Sequence, residues 1–134
     1  MLLVDTNVLL DVFTNDERWA DWSQRQLEAA SLADQLAINA VIYSELSIGF
    51  ERLEELDAAL ETAGITMAEI PRPALFLAGK AFQSYRGRGG AKTGVLPDFF
   101  IGAHAAVADV ALLTRDVGRY RTYFPTITLI APSA

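Results

Sequence analysis

Four acidic side chains interrupt apolar sequence, and they are the groups of this chain best suited to chemistry. Asp5 directly follows the first apolar run, and Asp116 comes two residues after the apolar run ALLT, whereas Glu45 and Asp98 break apolar stripes of helical spacing. Carboxylates that converge repel one another, and a divalent cation relieves that repulsion. Mg²⁺ and Mn²⁺ are the natural occupants of a site with oxygen ligands only. The sequence therefore predicts a Mg²⁺ or Mn²⁺ site.

The surroundings of Glu45 favour this interpretation. Val41, Ile42 and Gly49 lie three or four residues from it, so Glu45 points with the apolar stripe of its predicted helix. A charged carboxylate on a stripe that faces the core costs on the order of several kcal/mol unless a cation compensates it.

Asp98 stands in a similar position, with Ile101, Gly102 and Ala105 at helical spacing after it. An alternative is that Asp98 stabilises the first turn after Pro97 through the helix dipole, an effect of roughly 0.3 to 1 kcal/mol. Aspartates at strand ends also serve in turns, which is the alternative explanation for the other two aspartates.

Three further polar residues lie near these positions. Asn7 and Thr114 are close in sequence to Asp5 and Asp116, where they could orient carboxylates or simply begin a helix and end a strand. His104 lies six residues after Asp98, roughly 120° away around a helix, so we expect a structural histidine.

Composition excludes several classes of function. The chain has 134 residues, of which 51% are hydrophobic, and we expect one domain over residues 1–134. It has no cysteine and one histidine, which argues against disulfides, thiol nucleophiles, zinc sites and metal-free ribonucleases with paired imidazoles. A net charge of −6 argues against a dedicated binder of phosphate backbones. We expect a cytoplasmic protein without membrane contact, because neither a long apolar run nor a cleavable leader is apparent.

Strand-like runs alternate with helical periodicity along the chain. Such alternation predicts parallel strands joined by right-handed crossovers, that is, a three-layer α/β/α sandwich around a mainly parallel sheet of about five strands. In these sheets ligands bind outside the carboxyl ends of the strands. The predicted strands are 2–4, 36–39, 65–69, 111–114 and 126–130.

Two of the predicted helices have an apolar face that we expect to be buried. The helix over residues 17–33 has an inner face of Trp19, Trp22, Gln26, Ala29, Ala30 and Ala33. The helix after Pro73 has an inner face of Leu75, Ala78, Gly79, Phe82 and Tyr85.

Basic residues that could bind a substrate are few. The segment RGRGGAKTG, residues 86–94, contains Arg86, Arg88 and Lys92, which either grip phosphates or belong to a solvated loop. Arg115 faces either a nucleic acid or a neighbouring carboxylate. A Walker loop is excluded there, because Ala91 replaces the glycine that must precede the lysine.

Four features of the sequence together resemble the motifs of the PIN-domain nucleases. They are VDTN at the first strand, an isolated glutamate in the helix after the second strand, LPDFFIGAHA and LLTRD. In length and motif order the chain is similar to the VapC toxins of toxin–antitoxin pairs. The resemblance implies an acidic site of Asp5, Glu45, Asp98 and Asp116 that holds metal and catalyses cleavage, with Asn7 and Thr114 in support. It also implies an RNA substrate, an antitoxin partner and a homodimer.

A metal-activated water that attacks phosphorus would leave 5′-phosphate and 3′-hydroxyl ends. Two other functions remain open at this point. One is a phosphohydrolase with Asp5 as the nucleophile, although Asn7 stands where such enzymes commonly have a second aspartate. The other is a non-catalytic, metal-stabilised binding module.

A surface for the homodimer could be formed by one of two apolar pairs, Phe50 with Leu53 or Trp19 with Trp22. Each pair could instead belong to the core.

Overall fold

The computed structural model describes residues 1–92 and 94–133, and these form a three-layer α/β/α sandwich around one parallel sheet. The predicted fold class is therefore confirmed. The strands pair in the order β3-β2-β1-β4-β5. Their bounds are β1 (Leu2–Val4), β2 (Leu36–Ile38), β3 (Ile65–Met67), β4 (Ala111–Leu113) and β5 (Leu129–Ile130).

Helices connect the strands and cover the sheet. Among the described residues they are α1 (Thr6–Phe13), α2 (Ala20–Ala33), α3 (Ala40–Ser47), α4 (Leu53–Thr62), α5 (Arg72–Gly87), α6 (Leu96–Ala108) and α7 (Gly118–Tyr123). None of the helices in residues 1–92 and 94–133 combines the length and apolar content that a bilayer crossing needs.

The central strand β1 explains where a site can form. Leu3 and Val4 are fully buried, and β1 pairs with β2 on one side and β4 on the other. The chain leaves β1 toward β2 and later returns on the opposite side at β4, which makes the gap between β1 and β4 a topological switch point. Asp5 lies at this gap, where its N–H donates to the carbonyl of Leu113. Ligands of such sheets bind at this kind of crevice.

Helix ends differ in part from those predicted. Helix α2 begins at Ala20 rather than at residue 17, because Asp16 Oδ1 accepts the N–H groups of Arg18 and Trp19 in a preceding turn. Helix α5 continues through Arg86 and Gly87, into the segment expected to be a loop. Of that loop, Thr93 lies outside the described residues.

Two predicted inner faces were wrong in detail. The residues of α2 that are buried are Ser23 and Leu27, whereas Ala29 and Ala33 are exposed. In α5 the buried residues are Ala74 and Ala78, whereas Leu75 is 45% exposed. Small residues face inward in α5 because this helix packs closely along α6, with which it makes its most extensive helix contact.

Candidate active site

A small cavity at the switch point collects most of the acidic residues singled out above. Its volume is about 30 Å³, enough for one water molecule or one metal ion. We call it the acidic cavity, and it is lined by Asp5, Asn7, Asp98, Asp116, Arg119 and Tyr120.

Asp5 is the buried member of the acidic cavity, with 4% of its surface exposed. Its Oδ1 accepts the N–H of Thr6 at 2.8 Å, and its Oδ2 accepts the hydroxyls of Thr114 at 2.8 Å and Tyr120 at 2.9 Å. Burial raises the pKa of Asp5 to about 6, with a further contribution from the charge of Asp98 and against the effect of these hydrogen bonds. The carboxylate is therefore oriented by neutral donors, and a cation beside it would lower its pKa.

Thr114 and Asn7 join Asp5 to the loop after β4. Thr114 is fully buried, and its Oγ1 accepts the N–H of Asp116 at 3.1 Å. Asn7 Nδ2 lies 3.4 Å from both Asp5 Oδ2 and Thr114 Oγ1, while its Oδ1 accepts the N–H of Arg115 at 3.1 Å. Asn7 and Thr114 thus contact carboxylates and backbone, and they also lie at the start of α1 and directly after β4.

Asp98 projects from the first turn of α6 and pairs with Arg119 of α7. The Nε and Nη2 atoms of Arg119 both lie 3.0 Å from Asp98 Oδ2. Burial raises the pKa of Asp98, Arg119 opposes that increase, and the charge of Asp116 adds to it. Ile101, Gly102 and Ala105 are buried, as the predicted stripe requires.

Asp116 is the most exposed of the four acidic residues. Its Oδ1 accepts the N–H of Gly118 at 3.3 Å, which shapes the turn into α7. Its second oxygen has no hydrogen-bond partner among the described residues.

Glu45 lies beside the acidic cavity rather than in its lining. The hydroxyl of Thr6 donates to Glu45 Oε1 at 2.6 Å. Burial raises the pKa of this half-buried glutamate, and the charge of Asp98 contributes to the increase. Ile42 is buried beside it as expected, but Gly49 lies beyond the end of α3. Glu45 is thus connected to the cavity through the first helical residue after Asp5.

The chemistry of these donors fits a hard divalent cation. All candidate ligands are oxygens, carried by separate elements of the fold. In the part of the chain that the structure describes, no three acidic or imidazole groups already converge on a common point. Ligation by three of the carboxylates would therefore need rotation of their side chains.

His104 takes no part in the site. It is 1% exposed, and its Nδ1 lies 3.0 Å from Nδ2 of Asn39, which must be the donor. Burial lowers the pKa of His104, so the ring stays neutral at pH 7. Asn39 in turn caps α3 through Oδ1, which accepts the N–H of Ile42. This histidine is structural, as the sequence predicted.

Arg115 pairs with the buried Asp11 of α1. Its Nε and Nη2 donate to Asp11 at 2.6 and 2.9 Å, and its guanidinium carbon lies 5.1 Å from the centre of the Trp19 ring. Of the two sequence interpretations, the structure supports the neighbouring carboxylate, which is Asp11 rather than a member of the acidic cavity. That Arg115 also binds a substrate stays a prediction.

The remaining basic candidates are exposed. Arg86, Arg88 and Lys92 all lie at the surface. The guanidinium of Arg88 stands 5.5 Å from the ring centre of Tyr123 in α7, and the N–H of Lys92 donates to the hydroxyl of Tyr85 at 3.1 Å. This segment is thus attached to the helix that carries Arg119 and Tyr120, and its binding of RNA stays a prediction.

Several contributors to the site were missed by sequence reasoning. Tyr120 and Arg119 belong to α7, a helix that was not predicted. Burial, followed by the charge of Asp5, raises the pKa of Tyr120 well above its ordinary value, so its hydroxyl remains a donor. Asp11 lies outside the acidic cavity but was missed as well. It is 2% exposed, and the sequence could have indicated it, since it interrupts an apolar helix as Glu45 does.

Comparisons with known proteins agree with this architecture. A family model described as PIN domain matches residues 2–125. No match was found among curated protein sequences.

Solved structures share the fold at low sequence identity. VapBC2 from Rickettsia felis, bound to a DNA fragment from its promoter, has a TM-score of 0.73 at 17% identity, with 97% of each chain covered. A toxin-antitoxin complex from Klebsiella pneumoniae has a TM-score of 0.70 at 22% identity, with 99% of this chain and 98% of the other covered. VapBC-1 from nontypeable Haemophilus influenzae has a TM-score of 0.70 at 18% identity, covering 97% of this chain and 96% of the other.

Proposed function

This chain belongs to the PIN domain family, whose members are nucleases, and we propose that it is a Mg²⁺- or Mn²⁺-dependent endoribonuclease. The observation that carries the proposal is the position of Asp5, which is buried at the carboxyl edge of the sheet in one cavity with Asp98 and Asp116. A desolvated carboxylate beside two others is stabilised by a cation, and an oxygen-only donor set favours a hard one.

The residues of the site have distinct tasks in this proposal. Asp5, Asp98 and Asp116 would hold the ion, while Thr114 and Tyr120 fix the orientation of Asp5. When bound, the ion polarises the scissile phosphate and lowers the pKa of a water molecule. Glu45 Oε2 has no hydrogen-bond partner among the described residues, so it would be free to accept a proton from an attacking water molecule. Cleavage of this kind leaves 5′-phosphate and 3′-hydroxyl ends.

RNA contacts are assigned to the basic segment attached to α7. Arg86, Arg88 and Lys92 are exposed and could pair with phosphates. The bound ion supplies further positive charge, which a chain with a net charge of −6 otherwise lacks.

The geometry argues against Asp5 as a phosphoryl-accepting nucleophile. Its Oδ1 accepts the N–H of Thr6, and its Oδ2 accepts two hydroxyls. A carboxylate oxygen engaged in this way has reduced nucleophilicity, and it would have to lose these bonds to attack.

The toxin role is part of the same proposal. The structures of similar fold include a toxin-antitoxin complex and VapBC assemblies, which supports an antitoxin as the partner. We also propose a homodimer in the cytoplasm. Leu53, which is 61% exposed, is the better candidate for that interface, because Trp19 and Trp22 pack against each other at a centroid distance of 6.0 Å.

Conservative substitutions of the acidic residues test the enzymatic proposal. Asp5→Asn and Asp98→Asn should each lower Mn²⁺-dependent cleavage of structured RNA by at least about a hundredfold, because each removes a charged ligand. Asp109→Asn is the matched control. It changes an exposed aspartate at the end of the same helix as Asp98, at a left-handed position that asparagine tolerates.

Four outcomes would contradict the proposal. Full activity of folded Asp5→Asn would exclude the acidic cavity as the catalytic site. Cleavage that persists in excess chelator would indicate a metal-free reaction. Release of phosphate from monoesters without RNA cleavage would support the phosphohydrolase, and Mn²⁺ binding without turnover on any RNA would support the binding module.

A further inference from the structure

Arg119 is the one basic residue among those that line the acidic cavity in the described chain. It lies on the short helix α7, and 28% of its side chain is exposed. Arg121, two residues later on the same helix, is exposed and lines a different surface depression beside Phe124 and Pro125. The helix therefore directs one guanidinium into the cavity and the other into solvent.

The contact of Arg119 with Asp98 is concentrated on one oxygen. Nε donates a hydrogen bond to Asp98 Oδ2 at 3.0 Å, and Nη2 lies at the same distance from this atom, so both close contacts of the guanidinium fall on Oδ2. A metal ion that used Asp98 Oδ2 would have to approach the same lone pairs. The cavity of about 30 Å³ is the space left with Arg119 in place, so an ion that entered it would meet Asp98 Oδ2 already paired with the guanidinium.

We propose that Arg119 is a built-in counter-cation of the acidic cavity, which neutralises Asp98 in the metal-free protein and is displaced from Asp98 Oδ2 when a divalent ion binds. The inference rests on the proposed function, because it takes the acidic cavity as the metal site. Arg119 then has two opposite effects. It stabilises the fold when no ion is present, and it weakens metal binding because the ion must replace an existing ion pair.

Direct binding of Mn²⁺ to the full chain tests the inference without any assay of cleavage. The wild-type protein, Arg119→Gln and Arg121→Gln are titrated with Mn²⁺, and free Mn²⁺ is measured by electron paramagnetic resonance. The dissociation constant of Arg119→Gln should be about fivefold lower than that of the wild type, as expected for removal of a partly exposed ion pair. Arg121→Gln should match the wild type.

Thermal unfolding supplies a second readout. In chelator, Arg119→Gln should melt below the wild type because Asp98 loses its partner, and saturating Mn²⁺ should raise its melting temperature by more than it raises that of the wild type. Arg121→Gln should show neither change.

The possible failures are distinguishable. A folded Arg119→Gln that binds Mn²⁺ as weakly as the wild type, or more weakly, overturns the counter-cation and leaves the proposed function standing. A wild-type protein that binds no Mn²⁺ overturns both. If Arg119→Gln does not fold, Arg119→Met takes its place, because methionine keeps an unbranched side chain and removes the charge. Binding by Arg119→Met that is tighter than that of the wild type supports the inference, and equal or weaker binding overturns it.

Discussion

The carboxylate of Asp5 is removed from water and yet surrounded by donors. Hydrogen bonds from Thr6, Thr114 and Tyr120 fix both oxygens, but none of these donors carries a positive charge. Hydrogen bonding therefore sets the direction of the carboxylate, and burial sets its pKa. A group that is oriented but not neutralised is well suited to hold a metal ion.

The raised pKa of Asp5 predicts an unusual dependence of stability on pH in the absence of metal. Below about pH 4 the carboxyl group is protonated in both the folded and the unfolded chain, whose pKa is about 3.9. Between about pH 4 and the folded pKa of about 6, the unfolded chain releases its proton and the folded chain keeps it. The free energy of unfolding should therefore fall as pH rises through this window, by roughly 3 kcal/mol from Asp5.

Urea unfolding in chelator between pH 4 and 8 measures this effect. The raised pKa values of Glu45 and Asp98 act in the same direction. Asp5→Asn should lose the Asp5 contribution and become more stable than the wild type near pH 7, whereas Asp109→Asn should keep the wild-type profile. Equal slopes for Asp5→Asn and the wild type would show that Asp5 ionises as easily in the folded chain as in the unfolded one.

The four acidic side chains could be selected from the sequence because each breaks a local pattern. Asp5 ends an apolar strand, and Asp98 sits on an apolar helical face. Asp11 breaks its helix in the same way and was overlooked, although it holds Arg115. Arg119 and Tyr120 carry no such signal, because their roles depend on a contact across 21 residues to Asp98 and across 115 residues to Asp5.

Helix α7 shows why some elements escape sequence analysis. Its six residues, GRYRTY, are too short to display an apolar period and contain a glycine at the start. The helix is held by its surroundings instead. Tyr120 reaches Asp5, and Phe124, directly after the helix, packs on Gly102 of α6. Tertiary contacts thus override weak local propensity.

The contact between Gly102 and Phe124 gives a prediction about the position of α7. A Cβ atom at residue 102 would lie 2.4 Å from Phe124 Cδ2, so Gly102→Ala must displace the ring. We expect a loss of about 1 to 3 kcal/mol in the free energy of unfolding and weaker Mn²⁺ binding, because α7 carries Tyr120, whose hydroxyl orients Asp5.

Gly79→Ala is the matched control for this change. Gly79 lies inside α5 with no atom near its missing Cβ, so alanine there should leave the protein unchanged or stabilise it by up to about 1 kcal/mol. Chemical unfolding measures both variants. If Gly102→Ala were as stable as Gly79→Ala, the close packing of α6 on Phe124 would be refuted.

The order of the strands brings the site together across the chain. Strand β1 lies between β2 and β4, so the residues after β1 and after β4 meet at one edge although more than 100 positions separate Asp5 from Thr114. The alternation of strands and helices predicted the parallel sheet. The order of its strands could not be read from that alternation, because every strand is a similar short apolar run and long-range packing decides which strands pair.

Crystals of the wild-type protein grown with Mn²⁺ would locate the ion by anomalous diffraction. We expect one peak in the acidic cavity, within coordination distance of carboxylate oxygens of Asp5 and of Asp98 or Asp116, and no such peak in crystals of Asp5→Asn. An empty cavity at saturating Mn²⁺, or a peak elsewhere that Asp5→Asn retains, would contradict it.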